Sequence, residues 1–107
     1  DTIQGGGKSD IITGGAGGDA LIGGAGIDTV DYGGLSADLH VSLQSGNALG
    51  GDADGDKLTG IENIIAGTGA DSLQGDNKAN DIRGGGGNDG INGNGGNDRL
   101  IGGAGTD

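Results

Sequence analysis

Aspartates recur through this 107-residue chain at a fixed interval. Asp1, Asp10, Asp19 and Asp28 stand nine residues apart, and Asp71, Asp89, Asp98 and Asp107 fall on the same interval, with Asn80 in the remaining slot. Every Asp of the series after Asp1 follows a run containing two or more glycines. Carboxylates beside exposed backbone carbonyls offer hard oxygen ligands, and calcium takes roughly 6–8 of these at about 2.3–2.6 Å. One such turn supplies one carboxylate and a few carbonyls, which is too few. Two turns eighteen residues apart supply about six oxygens. That spacing pairs Asp1 with Asp19, Asp10 with Asp28, Asp71 with Asp89, Asn80 with Asp98, and Asp89 with Asp107. The competing reading is that each Asp only caps its own turn.

The elements that must hold these residues follow from the same period. Ile3, Ile12, Leu21 and Val30 lie nine apart, as do Ile64, Leu73, Ile82, Ile91 and Leu100. The aliphatic comes two residues after the Asp slot. Gly14-Gly15-Ala16-Gly17-Gly18-Asp19-Ala20-Leu21-Ile22 is one complete unit. Six residues make a turn, in which glycine permits positive φ and close backbone approach. Three residues make a short strand, whose central aliphatic points to one face. Two units close a coil of eighteen residues. Stacked coils give an all-β solenoid of parallel strands with two facing ladders of aliphatics.

Composition excludes several alternatives. Glycine supplies 31 residues, and Pro, Cys, Met, Trp and Phe are absent, leaving Tyr32 as the sole aromatic. The glycines lack the three-residue period of collagen. No disulfide is available. The net charge is -11, and Glu62 is the one glutamate among 16 acids. Five Lys and Arg are poorly suited to neutralising nucleic-acid phosphates. Such a composition also fits disorder, and only the regular arrangement argues against it. No run approaches the roughly 20 apolar residues of a membrane helix. No apolar leader opens the chain, and we expect an excised segment of a larger protein.

The unit G-G-x-G-x-D-x-U-x resembles the nonapeptide of the calcium-binding RTX repeat family, and the resemblance covers residues 1–31 and 66–107. It implies a right-handed parallel β-roll with several Ca2+ ions. It also implies which carbonyls bind: the second and fourth positions of the earlier turn, and the first and third of the later one. For Asp10/Asp28 these are Gly6, Lys8, Gly23 and Ala25. For Asp71/Asp89 they are Gly67, Gly69, Gly84 and Gly86. For Asn80/Asp98 they are Asp76, Lys78, Gly93 and Gly95. For Asp89/Asp107 they are Gly85, Gly87, Gly102 and Ala104. For Asp1/Asp19 the later turn gives Gly14 and Ala16. Three units depart from the pattern. Lys8 and Asn94 replace glycines, and the unit from Gly75 to Arg83 lacks two glycines and carries Asn80 for Asp. Sites on these turns are expected to be weaker, or unfilled at Asn80.

Residues 32–65 break the period and read as an irregular insertion within one continuous roll. Leu39–Leu43 alternates as a strand does, Ile61–Ile65 reads as another, and residues 50–56 as an acidic loop. Asp28 to Tyr32, followed by Gly60-Ile61-Glu62-Asn63, resembles the interrupted roll of serralysin-type proteases. That resemblance brings Glu62 and the Gly60 carbonyl to Gly24, Gly26 and Asp28 on one calcium. Asp52, Asp54 and Asp56 do not complete an EF-hand loop, since position twelve is Asn63 rather than Glu. Residues 51–59 also read as a degenerate unit, with Asp56 and Leu58 in the metal and core slots, and an extra loop calcium is the alternative to a solvated loop.

No catalytic constellation is present. His40 is alone and cannot build a zinc site, and no serine sits in a G-x-S-x-G elbow. We therefore expect no enzyme in this segment, although its parent protein can be one. The family resemblance implies a secreted bacterial protein, exported by type I secretion and folding in external calcium. The alternative is a polysaccharide- or surface-binding, adhesin-like module. Lys8, Lys57, Lys78, Arg83 and Arg99 are too scattered to mark a basic stripe. An ice-binding threonine ladder fails, because Thr68 has no threonine partners at its turn position. The exposed ends of a roll invite end-to-end self-association.

Overall fold

A computed structural model describes all of residues 1–107. It is built of short strands and one 3-10 turn, Gly51–Ala53, with no α-helix. The strands are β1 (Thr2–Gly6), β2 (Ile11–Ile12), β3 (Ala20–Gly24), β4 (Thr29–Asp31), β5 (His40–Ser42) and β6 (Asn47–Leu49). They continue as β7 (Asp56–Thr59), β8 (Asn63–Ile65), β9 (Ser72–Gln74), β10 (Asp81–Gly85), β11 (Gly90–Asn92) and β12 (Arg99–Gly103). A seven-stranded sheet runs β1-β3-β7-β6-β5-β9-β11, and a five-stranded sheet runs β12-β10-β8-β4-β2.

The nine-residue period sets the register. Successive repeat strands alternate between the sheets, so a strand pairs in parallel with the one two units along. Ile3 pairs with Leu21, Ile12 with Val30, Leu73 with Ile91, and Ile82 with Leu100. Leu21, Val30, Val41, Ile64, Leu73 and Ile82 are fully buried between the sheets. Leu100, expected in the core, is 46% exposed, because β12 is an edge strand with no neighbour beyond it.

The insertion joins the larger sheet as an antiparallel excursion. β5 continues the parallel ladder against β9 and then turns back into β6. β6 pairs antiparallel with β7. β7 returns to the repeat register, with Leu58 opposite Leu21. Residues 51–59 thus rejoin the ladder as the degenerate unit would. β6 was not expected: Asn47-Ala48-Leu49 has weak strand propensity. Its signal is Ser45-Gly46 ahead of it, where Gly46 takes φ 74° in the reversing turn. The expected strand Ile61–Ile65 begins only at Asn63.

Candidate metal centre

Every nonapeptide turn lies on one of two edges, because each Asp slot directly precedes a strand. Asp10, Asp28, Glu62, Asn80 and Asp98 precede strands of the five-stranded sheet. Asp1, Asp19, Asp71 and Asp89 precede strands of the larger one, and Asp56 is the first residue of its β7.

Beyond Asp1 and Asp10, which open the two stacks and accept no such bond, each slot carboxylate has one oxygen tied to the neighbouring coil. The Asp10 N–H donates to Asp28 Oδ1 at 2.9 Å, Asp71 N–H to Asp89 Oδ1 at 2.9 Å, and Asp89 N–H to Asp107 Oδ1 at 3.0 Å. The Asp1 amine does the same for Asp19 Oδ1 at 2.5 Å. The other oxygen is different. Oδ2 of Asp10, Asp19, Asp28, Asp71 and Asp89 is buried with no hydrogen-bond partner. A buried, unpaired carboxylate oxygen is costly, and one such atom on each of five stacked turns calls for a cation.

Carbonyl oxygens converge on the same points. A methyl group on Gly5 would stand 2.6 Å from Asp10 Oδ2 and 2.8 Å from the Gly23 carbonyl oxygen. One on Gly84 would meet both Asp89 Oδ2 and the Gly102 carbonyl, and one on Gly23 both Asp28 Oδ2 and the Gly60 carbonyl. The backbone that aims these groups is left-handed at alternate positions. Gly24 and Gly26 have φ 97° and 109°, and Gly85 and Gly87 have 95° and 96°. Lys8 and Asn94, the two non-glycine substitutes, are forced into the same region at 75° and 62°. The Asn94 amide nitrogen donates to the Gly75 carbonyl at 2.7 Å.

Glu62 takes the slot of an Asp. The Asp28 N–H donates to Glu62 Oε2 at 2.9 Å, and the Glu62 N–H returns to the Asp28 carbonyl at 3.0 Å. Glu62 thus lies against Asp28, and the Gly60 carbonyl approaches the same place beside Gly23.

Two turns differ. In the turn 75–80, Asn80 serves as a hydrogen-bond donor rather than a free ligand. Its Nδ2 donates to the Glu62 carbonyl at 2.7 Å and to Asp76 Oδ1 at 3.2 Å, while its Oδ1 accepts from the Asp76 N–H at 3.0 Å. Neither Asp76 nor Lys78 is left-handed. In the turn 66–71, Ala66 stands where other turns begin with glycine, a departure that the sequence analysis passed over. Gly67 and Gly69 do not take positive φ there. Asp71 nonetheless keeps its unpaired Oδ2. Burial pushes its carboxyl up from the ordinary value; the Leu39 N–H pulls it down, and Asp89 and Asp38 push it up further.

Asp56 also differs. Its Oδ1 accepts from the Asp19 N–H at 2.8 Å, as in the other turns, but its Oδ2 accepts from the Tyr32 hydroxyl at 2.8 Å. Sequence reasoning gave Tyr32 no role here. Its signal was being the sole aromatic, placed just after a repeat. Asp52 and Asp54 lie in the exposed loop, where Asp54 Oδ1 accepts the Gly50 N–H at 3.3 Å. No three acidic or histidine side chains converge anywhere to hold an ion by side chains alone. Any cation must therefore be held largely by carbonyls.

This combination of glycine-turn carbonyls and one free carboxylate oxygen per turn decides the comparison. The family model for the RTX calcium-binding nonapeptide repeat, in four copies, matches residues 1–30, 58–91 and 74–107. The chain belongs to the RTX calcium-binding nonapeptide repeat family. A search of the curated proteins finds no match. The RTX repeat binds Ca2+, and the donors found here fit that ion: all are oxygens, carboxylate and carbonyl, in flexible glycine turns. The unmatched residues 31–57 are the antiparallel excursion. No helix is long and apolar enough to cross a membrane.

Proposed function

We propose that this RTX segment is a calcium-triggered folding module of a secreted protein. Residues 1–31 and 66–107 form one continuous right-handed parallel β-roll, the hand being that of the resembling family, with residues 32–65 as its insertion, which includes the antiparallel β5–β6 hairpin. The observation that carries this reading is the row of buried, partnerless Oδ2 atoms on Asp10, Asp19, Asp28, Asp71 and Asp89. Without a cation these oxygens repel one another in a poorly solvated edge. With calcium they become ligands, and binding free energy becomes folding free energy.

The ligand sets are Gly6, Lys8, Asp10, Gly23, Ala25 and Asp28; Gly24, Gly26, Asp28, Gly60 and Glu62; Gly67, Gly69, Asp71, Gly84, Gly86 and Asp89; and Gly85, Gly87, Asp89, Gly102, Ala104 and Asp107. Asp1, Gly14, Ala16 and Asp19 make a more open site, and the Asn80/Asp98 pair is the weakest. High negative charge and a core with one aromatic suit a chain that stays unfolded at low cytosolic calcium and folds outside the cell. Calorimetric titration of the metal-free chain with Ca2+ tests the assignment. Multiple tight sites, with no comparable heat from Mg2+, are expected. A single weak site would refute it.

A further inference from the structure

The larger sheet carries a feature unrelated to the turns. Where the β5–β6 hairpin crosses it, a groove of about 530 Å3 opens on its outer face, lined by His40, Ser42, Gln44, Ser45, Asn47, Leu49 and Gln74. The register builds it. Val41, Ala48 and Leu73 point inward and are fully buried, so their neighbours point out. Leu49 stands beside His40, and Asn47 beside Ser42, which stands beside Gln74. In a chain of net charge -11, no carboxylate lines this groove.

The amides there are oriented. Lys57 Nζ donates to Asn47 Oδ1 at 3.0 Å, which fixes the Asn47 Nδ2 group as the free end. Asn94 Nδ2, already identified as nitrogen by its bond to the Gly75 carbonyl, donates to Gln44 Oε1 at 3.3 Å and leaves Gln44 Nε2 free. Ser42 Oγ donates to Gln74 Oε1 at 3.4 Å, leaving Gln74 Nε2 free. Three amide NH2 groups and an exposed imidazole therefore surround one groove, beside a half-exposed leucine. Leu49 is the one apolar side chain among the seven that line the groove, so the groove differs from the enclosed apolar pockets of drug-sized ligands and suits a hydroxyl-rich ligand that stays partly solvated.

We infer that this groove binds a neutral carbohydrate. Sugar hydroxyls accept from amide NH2 groups, and Leu49 meets the C–H face of a pyranose ring. The cross-strand row Lys57–Asn47–Ser42–Gln74–Asn92 spans five adjacent strands and suits a chain of several sugars. The large negative charge of the protein disfavours an anionic polymer.

The calcium-loaded chain, its folding verified by circular dichroism, is titrated with neutral cello-, malto- and manno-oligosaccharides and, separately, with oligogalacturonate. The ring protons of His40, the only histidine, report binding by NMR. A saturable shift with one neutral series is expected, and Asn47→Asp is expected to weaken it about tenfold while leaving the calcium titration unchanged. No His40 shift with any neutral series at millimolar sugar overturns the proposal, as does a response to oligogalacturonate alone. The groove rests on the calcium-folded state, and a failure to fold in calcium would show in the circular dichroism before any sugar is added, so it would overturn the calcium reading rather than pass as a missing sugar response.

Discussion

The Tyr32 hydroxyl donates a 2.8 Å hydrogen bond to Asp56 Oδ2, and both side chains are buried. The bond ties the end of the first repeat block to the turn that re-enters the ladder, with hydrogen where other turns leave an oxygen free. Burial first, then this bond and the Asp56 charge, pushes the Tyr32 phenol far above its ordinary range. Tyr32→Phe keeps the ring but strands Asp56 Oδ2. A loss of about 1–3 kcal/mol is expected in the calcium-loaded protein, read as a lower Tm, with calcium stoichiometry unchanged. An unaltered Tm would show that the bond contributes nothing net.

Glycine is required at some turn positions and not at others. Gly24 has φ 97°, and a methyl there would run into the Gly6 carbonyl oxygen of the coil below. Gly24→Ala combines left-handed strain of about 1–2 kcal/mol with that clash. It should raise the calcium concentration at the folding midpoint several-fold. Gly90, on β11, has open space around it and no positive φ. Gly90→Ala should be neutral or stabilise by about 0.4–1 kcal/mol through the unfolded chain. Equal effects at the two positions would contradict the turn geometry.

At Asn80 an amide NH2 group donates where the other turns leave a carboxylate oxygen free. Asn80→Asp removes the donors to the Glu62 carbonyl and Asp76 Oδ1 and sets two carboxylates together. Any structure in the metal-free chain should weaken by about 1–3 kcal/mol. Calcium stoichiometry from equilibrium dialysis should rise by one ion. An unchanged stoichiometry would mean that the non-glycine turn 75–80 cannot aim its carbonyls, whatever occupies the Asp slot.

The repeats, their period, the parallel register and the paired slots were all legible in the sequence, because one residue type at each position does one job. The insertion was legible only in part. Val41 alternates clearly and marked β5, whereas Asn47-Ala48-Leu49 becomes a strand only because β5 and β7 offer edges to pair with. Tyr32 and Asp56 lie 24 residues apart, and no spacing rule joins them. Ala66 was overlooked because it differs from glycine by one methyl, yet it stands in a turn without left-handed residues. The groove around His40 depends on which residues the hairpin sets side by side, and that is tertiary information.

Protonation should act oppositely with and without metal. Burial is the largest cause raising the carboxyls of Asp56 and Asp71 above the ordinary value of 3.8. A raised folded-state pKa gives stability that is present below the unfolded value and is lost as pH rises through the folded one. In chelator, lowering the pH from 7 toward 4 should therefore increase β structure. In calcium the same change should reduce it, since the ligands must be ionised. Circular dichroism across that range, with and without chelator, checks both signs, and the same sign in both conditions would contradict the role given to the buried carboxylates.

The most direct test of the central claim is far-UV circular dichroism of the chain, titrated from chelator to about ten millimolar calcium, above the range of extracellular modules. A coil spectrum converting cooperatively to β, with magnesium unable to substitute, is the predicted result. A β spectrum already complete in chelator would contradict it, since core and ladder hydrogen bonds would then suffice without the metal.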